Sequence, residues 1–376
     1  MALINLGQID KNLIPIFVGC IICFLNRLLN QYKGTLLYKN IIITGIFISI
    51  SRFLAVIPYI ILRIKTKNLE NIDNKSINKK MIKYIYTDNQ KKIVRGKNVY
   101  IILTALIYLI QQMMFIATFE VKTNSWIWII LITSIFYYLI FKIKLYLHHV
   151  LSSILILLIG AIIDTILDNV INDINSHLVL LIIKFIRETL FSLYNVMAKY
   201  VMEKKFVSVY EFSFYIGTIS LILLIIFSIF DYAFFGIDDY EEYFTNYNGT
   251  EFLVMVGVII TQFGINLSSL FTVKNNSPCH TFIMFVFGQL AYYINLERYS
   301  ILVIICLIFI LFLSLIFNEI IEINFCGLSK NTRRNIMLRA ETEENLYITK
   351  NDTIDSTNSD YDNLIELEVN TNNKKE

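Results

Sequence analysis

From Leu178 to Val201 the chain reads LVLLIIKFIRETLFSLYNVMAKYV. As a helix rising about 1.5 Å per residue, this run is long enough to cross the roughly 30 Å hydrocarbon core of a bilayer. Yet Lys184, Glu188, Ser192, Asn195 and Lys199 recur along it at spacings of 4, 4, 3 and 4. At about 3.6 residues per turn those five share one face. Ionisable groups at bilayer depth cost several kcal/mol and persist where they are paired, face a water-filled cavity or perform a function. The stripe therefore cannot face lipid. It lines a passage or a polar seam, and either requires further helices around it.

The rest of the chain supplies them. Of 376 residues, 56% are hydrophobic and 17% charged, against roughly 25% charged in soluble proteins. Mean hydropathy is +0.59. Long apolar stretches lie near 12–30, 40–62, 99–119, 125–141, 147–167, 178–201, 209–233, 251–273, 279–296 and 299–319. The expected fold is an all-α polytopic membrane protein with ten transmembrane helices. A formal charge of +3 excludes a strongly basic nucleic-acid binder. The five cysteines lie mostly in apolar runs and form neither a disulfide framework nor a zinc pattern; Cys20 and Cys23 read as small core residues.

Orientation follows from Lys and Arg, which are retained on the cytoplasmic side. Between Arg63 and Lys97 eleven basic residues face three acidic ones, a net of +8, which places the loop 64–98 in the cytoplasm as a solvated linker. Alternating from there, Lys142 and Lys144, Lys204 and Lys205, Lys274, and the tail with Lys330, Arg333 and Arg334 fall on the same side. The opposite loops carry Asp168 and Asp173, then Asp238, Asp239, Glu241 and Glu242, without Lys or Arg. Lys33 and Lys39 are the exceptions. Asn248-Gly249-Thr250 in the second acidic loop is a glycosylation acceptor, usable only in the lumen or outside the cell. Both termini are expected in the cytoplasm.

Other polar positions at membrane depth extend the site. In the sixth span Lys184 and Glu188 can pair four residues apart, which leaves Arg187 without a partner in its own helix and suited to an anion or to Asp164 in the fifth span. Arg52 sits mid-span in the second, with Pro58 expected to kink the helix after it. Gln262, Asn266 and Ser269 share a face of the eighth span, the ninth offers Gly288, Gln289, Tyr292 and Tyr293, and the third Gln111 and Gln112. Such amides also join helices to one another. Of the histidines, His148, His149, His177 and His280, none pairs with a second ligand at helical metal spacing. No catalytic residue, metal or cofactor is expected.

Leu193 to Lys205, Leu-Tyr-Asn-Val-Met-Ala-Lys-Tyr-Val-Met-Glu-Lys-Lys, followed by Ser208-Val-Tyr-Glu-Phe and a new span, resembles the sixth-to-seventh span junction of the drug/metabolite transporter superfamily, in particular its nucleotide-sugar and sugar-phosphate branch. The resemblance implies two five-helix inverted repeats, residues 12–170 and 171–319, between a cytoplasmic N-terminus, 1–11, and a cytoplasmic tail, 320–376. It also implies secondary transport of a small polar solute, anionic or nucleotide-linked, by alternating access. Tyr194 stands where sugar-phosphate carriers often have an arginine, a departure that speaks against a phosphate-bearing substrate.

The substrate pathway is accordingly expected at Arg52, Lys184, Arg187, Glu188, Ser192, Asn195, Gln262, Asn266 and Gln289. Two rivals stay open: a membrane-embedded lipid or glycan transferase using His148, His149 or Asp164, and a scaffold or receptor whose stripe only packs helices. Beyond residue 318 the helix is expected to run on to a stop at Gly327, with Cys326 a palmitoylation candidate and disorder from about Glu341. Tyr361, Leu364 and Ile365 resemble sorting signals for adaptors. The expected partners are a small-molecule solute, the lipid bilayer, those adaptors and a second copy in a homodimer, with no nucleic acid, in an endomembrane (Golgi, endoplasmic reticulum or endolysosome) rather than the plasma membrane.

Overall fold

Each apolar stretch folds as helix. A computed structural model of the chain describes residues 4–6, 11–37, 41–73, 96–118, 125–143, 145–168, 174–235, 249–294, 301–323, 332, 335, 336 and 339. The helices are α1 (Ile14–Leu37), α2 (Ile41–Phe53), α3 (Val56–Asp73), α4 (Lys97–Ala117), α5 (Trp128–Phe141), α6 (Leu147–Asp168), α7 (Ile174–Lys204), α8 (Val209–Phe235), α9 (Gly249–Asn275), α10 (Thr281–Ile294) and α11 (Ile301–Phe317). The fold is all-α, and four helices have the length and composition to cross a membrane: Ile42–Lys65, Lys97–Ala117, Val209–Asp231 and Phe252–Asn275. With 31 residues α7 is also long enough, at roughly 46 Å, but the charges of its stripe set it apart by composition. Large apolar side chains such as Leu253, Ile229, Phe230, Ile308 and Phe309 stand exposed on the helices. Contiguous apolar surface of this kind suits an integral membrane placement.

Residues 8–318 form one compact unit. Within it, helices from before and after residue 170 interleave. α1 packs on α9 and α10, α7 on α4 and α5, α2 on α8, and α6 on α11. α4 also meets α8, as α9 meets α2. One apolar core joins α5, α6, α10 and α11 through Ile130, Ile156, Phe282 and Leu307. A second joins α4, α7, α8 and α9 through Ala105, Val201, Phe212 and Leu270. The 21-residue α4 and the 27-residue α8 are also tied by an ion pair, Lys97 Nζ to Glu211 Oε1 at 2.7 Å.

Two expectations are corrected. The segment 64–73 belongs to α3 and is not loop; residues 74–95 lie outside the described residues. Nor does the last helix run to Gly327. It stops at Phe317, where Ser314 O accepts from both Asn318 N, at 3.1 Å, and Asn318 Nδ2, at 2.8 Å. Glu319 then takes a left-handed φ of 59°, a conformation that ends helices.

Residues 1–7 and 319–376 form the second unit. Its described ladder pairs β1 (Ile4–Leu6) antiparallel with β2 (Ile321–Ile323), Ile4 opposite Ile323 and Leu6 opposite Ile321. β-branched isoleucines on either side of Glu322 favour a strand over a further helical turn. Asn248, Cys326, Tyr361, Leu364 and Ile365 lie outside the described residues.

Candidate functional site

Arg52 is positioned by a break in its helix. Pro58 has no N–H to offer the carbonyl of Leu54, and its ring crowds that carbonyl. The chain accordingly leaves α2 for a turn at Leu54 and Ala55, four residues before the proline, with Ala55 N donating to Arg52 O at 3.1 Å and Ile57 N to Leu54 O at 3.2 Å. The expected kink is thus a two-residue turn between α2 and α3, bridged by backbone hydrogen bonds. Gly217 on α8 lets the broken end approach: a Cβ there would lie 2.5 Å from Phe53 N and 2.9 Å from Arg52 C. Ser213 Oγ, one turn earlier on α8, donates to Arg52 O at 3.4 Å.

The Arg52 side chain enters a cavity and lies against two tyrosine rings that themselves touch. Its guanidinium carbon lies 4.0 Å from the Tyr108 ring centroid and 5.2 Å from that of Tyr194, while the two rings are 5.3 Å apart. Stacking on aromatic faces offsets part of the cost of burying the charge, by about 2 kcal/mol when the site is desolvated. It does not satisfy the donors. Arg52 Nε and Nη1, both tyrosine hydroxyls, and both Nδ2 and Oδ1 of Asn195 are buried without a hydrogen bond of ordinary geometry, although the two hydroxyls interact electrostatically with the guanidinium. Among the described residues no carboxylate pairs with Arg52. Each buried unsatisfied group costs about 1–3 kcal/mol, so these side chains carry hydrogen-bonding capacity that the described residues leave largely unused.

Arg187 is handled differently. Its Nε donates to Glu188 Oε1 at 3.0 Å, with Nη2 contacting the same oxygen, and its Nη1 donates to Thr118 Oγ1 at 3.0 Å. The guanidinium carbon lies 5.5 Å over the Phe115 ring. Arg187 therefore does have a partner in its own helix, its immediate neighbour. Adjacent residues on a helix point about 100° apart, so neighbours are not expected to face each other; the long arginine side chain closes that angle. The side chain of Asp164, the other expected partner, lies outside the described residues.

The remaining stripe divides. Lys184, Glu188 and Asn195 line the cavity with Arg52, Arg187, Gln262, Asn266 and Gln289. Ser192 does not: its hydroxyl donates to Ile129 O on α5 at 3.4 Å, so this expected pathway residue is a helix-to-helix contact. Lys199 also leaves the face. Its ammonium donates to Val273 O at 3.0 Å, Lys274 O at 3.3 Å and Asn276 O at 2.8 Å, and pairs with Glu203 at 2.6 Å. It caps the C-terminal carbonyls of α9, where a cation is favoured. Asn266 both lines the cavity and donates from Nδ2 to Ser51 Oγ at 3.0 Å, joining α9 to α2.

Among the lining residues that the sequence reading did not place in the pathway are Arg27 on α1 and the cage rings Tyr108 and Tyr194. The cavity measures about 270 Å³. Four cations line it, Arg27, Arg52, Lys184 and Arg187, against one carboxylate, Glu188, a formal +3. Low-dielectric walls of one sign focus field and attract the opposite charge, so the field in this space favours negative charge. His148 and His149 stack on each other with ring centroids 4.0 Å apart and are not part of the lining; the His177 side chain lies outside the described residues. No family model matches the chain, and no curated protein matches it.

Proposed function

We propose that the chain is a secondary transporter of a small, polar, anionic solute, working by alternating access between two five-span inverted repeats. The observation that carries this reading is the Arg52 cage: a buried guanidinium held against two tyrosines and paired with no carboxylate among the described residues, in a cavity that Asn195, with its amide unsatisfied, also lines. A scaffold would gain stability by replacing these groups with apolar ones, whereas a carrier needs them for its solute. The catalytic alternative gains no support from the cavity, where histidines do not line the wall with the cations.

The packing pattern supports the repeat. Numbering the ten spans in order, with α2 and α3 as the second, span 1 packs on 8 and 9 while span 6 packs on 3 and 4. Spans 2 and 7 pack together, as do 5 and 10. Adding five to each span number in one half reproduces the other, as a two-fold axis between repeats demands. The β1–β2 ladder supports an even number of crossings, since it brings the segments before span 1 and after span 10 to one side. Cytoplasmic termini remain part of the proposal through the distribution of Lys and Arg, and an endomembrane address through the sorting-signal resemblance at Tyr361, Leu364 and Ile365. A cavity of about 270 Å³, below the usual range of roughly 300–1,000 Å³ for ligand sites, favours a small anion over a nucleotide-linked solute.

The test is uptake into liposomes containing the purified chain, with dicarboxylates, amino acids, phosphate and nucleotide sugars as labelled solutes. Saturable uptake of a small anion that disappears in Arg52→Met supports the reading. Absence of uptake for every class, from either side of the membrane, would remove it.

A further inference from the structure

Two helices act as rulers for the cavity. On α7, Tyr194 belongs to the Arg52 cage and Arg187 lies seven residues earlier; on α4, Tyr108 stacks on Arg52 and Phe115, seven residues later, lies under Arg187. Seven helical residues rise about 10 Å. Both rulers thus put the two guanidinium sites at two levels about two turns apart along one cavity, whose lining continues past Arg187 to Lys184 and Thr118. Phe191, Gln111 and Gln112 line the wall between these levels.

The two levels differ in chemistry. At Arg52 there is a cation with neutral hydrogen-bonding neighbours. At Arg187 there is a dipole, a cation and a carboxylate in contact. A plain anion at that second level must compete with Glu188 for Arg187. A plain cation would meet Glu188 but leave Arg52 unmatched in a wall of net positive charge. A group carrying adjacent positive and negative charges complements both partners without separating them.

We propose that the solute is an α-amino acid with a second, distal carboxylate. Its ammonium meets Glu188, its α-carboxylate Arg187, and the distal carboxylate reaches Arg52, Asn195 and the hydroxyls of Tyr108 and Tyr194. This assignment rests on the cavity being the solute site, as proposed above.

The test uses the purified full chain in lipid nanodiscs and two matched series. One runs from aspartate and glutamate through 2-aminoadipate and 2-aminopimelate to 2-aminosuberate; the other consists of the unsubstituted dicarboxylates of equal length. Calorimetric titration should show each amino acid binding at least tenfold tighter than its dicarboxylate, with affinity rising towards the longer members. N-acetylation should erase the tenfold preference, and so should Glu188→Gln; the wild-type comparison stands without that variant if it does not fold. Equal affinity of the two series, or affinity independent of length, overturns the assignment while leaving an anion site in place. Binding of neither series overturns the assignment too, and the carrier reading then stands or falls with the uptake of phosphate and nucleotide sugars.

Discussion

Replacing Arg52 by Met should make the empty protein more stable while removing its affinity for anions. Arg52 is 5% exposed, and its Nε and Nη1 lack acceptors. Each such donor costs about 1–3 kcal/mol, and the stacking on Tyr108 and Tyr194 offsets about 2 kcal/mol of that. Methionine keeps an unbranched apolar stem against the rings and carries no donor. The expected gain is on the order of 1–2 kcal/mol, read as a higher midpoint in thermal unfolding of the unliganded chain. Anion binding loses a charge-assisted contact of about 1.5–3 kcal/mol, roughly a ten- to hundredfold weaker affinity by titration. A variant that unfolds more easily yet binds anions as well as the parent would refute the reasoning, because Arg52 would then be a structural pin.

Other outcomes follow from the same geometry. Lys199→Met strips the donor from Val273 O, Lys274 O and Asn276 O and should cost about 2–3 kcal/mol in thermal unfolding, with anion affinity retained; a neutral effect would show that water caps α9 equally well. Gly217→Ala places a Cβ against the backbone of Arg52 and Phe53, an overpacking of about 1–3 kcal/mol, and should lower both stability and uptake. In a cysteine-scanning pair, Asn195→Cys should react with a water-soluble thiol reagent and Ser192→Cys should not, since only Asn195 lines the cavity. Equal labelling of the two would return Ser192 to the passage.

Helices were legible because a segment in lipid must satisfy its own backbone and must be apolar over a fixed length, both of which are local properties. The stripe on α7 identified Lys184, Glu188 and Asn195 by spacing alone. It failed at its margins, where small rotations decide which wall a side chain meets: Ser192 turns to Ile129 O and Lys199 reaches the end of α9. Tyr108 could not be singled out, since a tyrosine in an apolar helix looks like core until an arginine from another helix is seen on its face. The same holds for Tyr194, which lies under Arg52 from α2. Arg27 sits beside Asn26 near a span end and reads as a boundary residue. The β1–β2 ladder joins residues more than 300 positions apart, and a three-residue strand carries no periodic signal of its own.

The Lys199 contacts set a limit on how the molecule can move. One ammonium holds three carbonyls at the junction of α9 and α10, and Asn276 in that junction donates to Asn12 O just before α1. The start of the bundle, α7 and the α9–α10 junction are thereby clasped by two side chains that donate to main-chain oxygens. Any excursion that prised this clasp apart would strand three oxygen atoms at once, so the softer direction of travel lies with the interrupted second span, where proline has already removed one rung of the ladder.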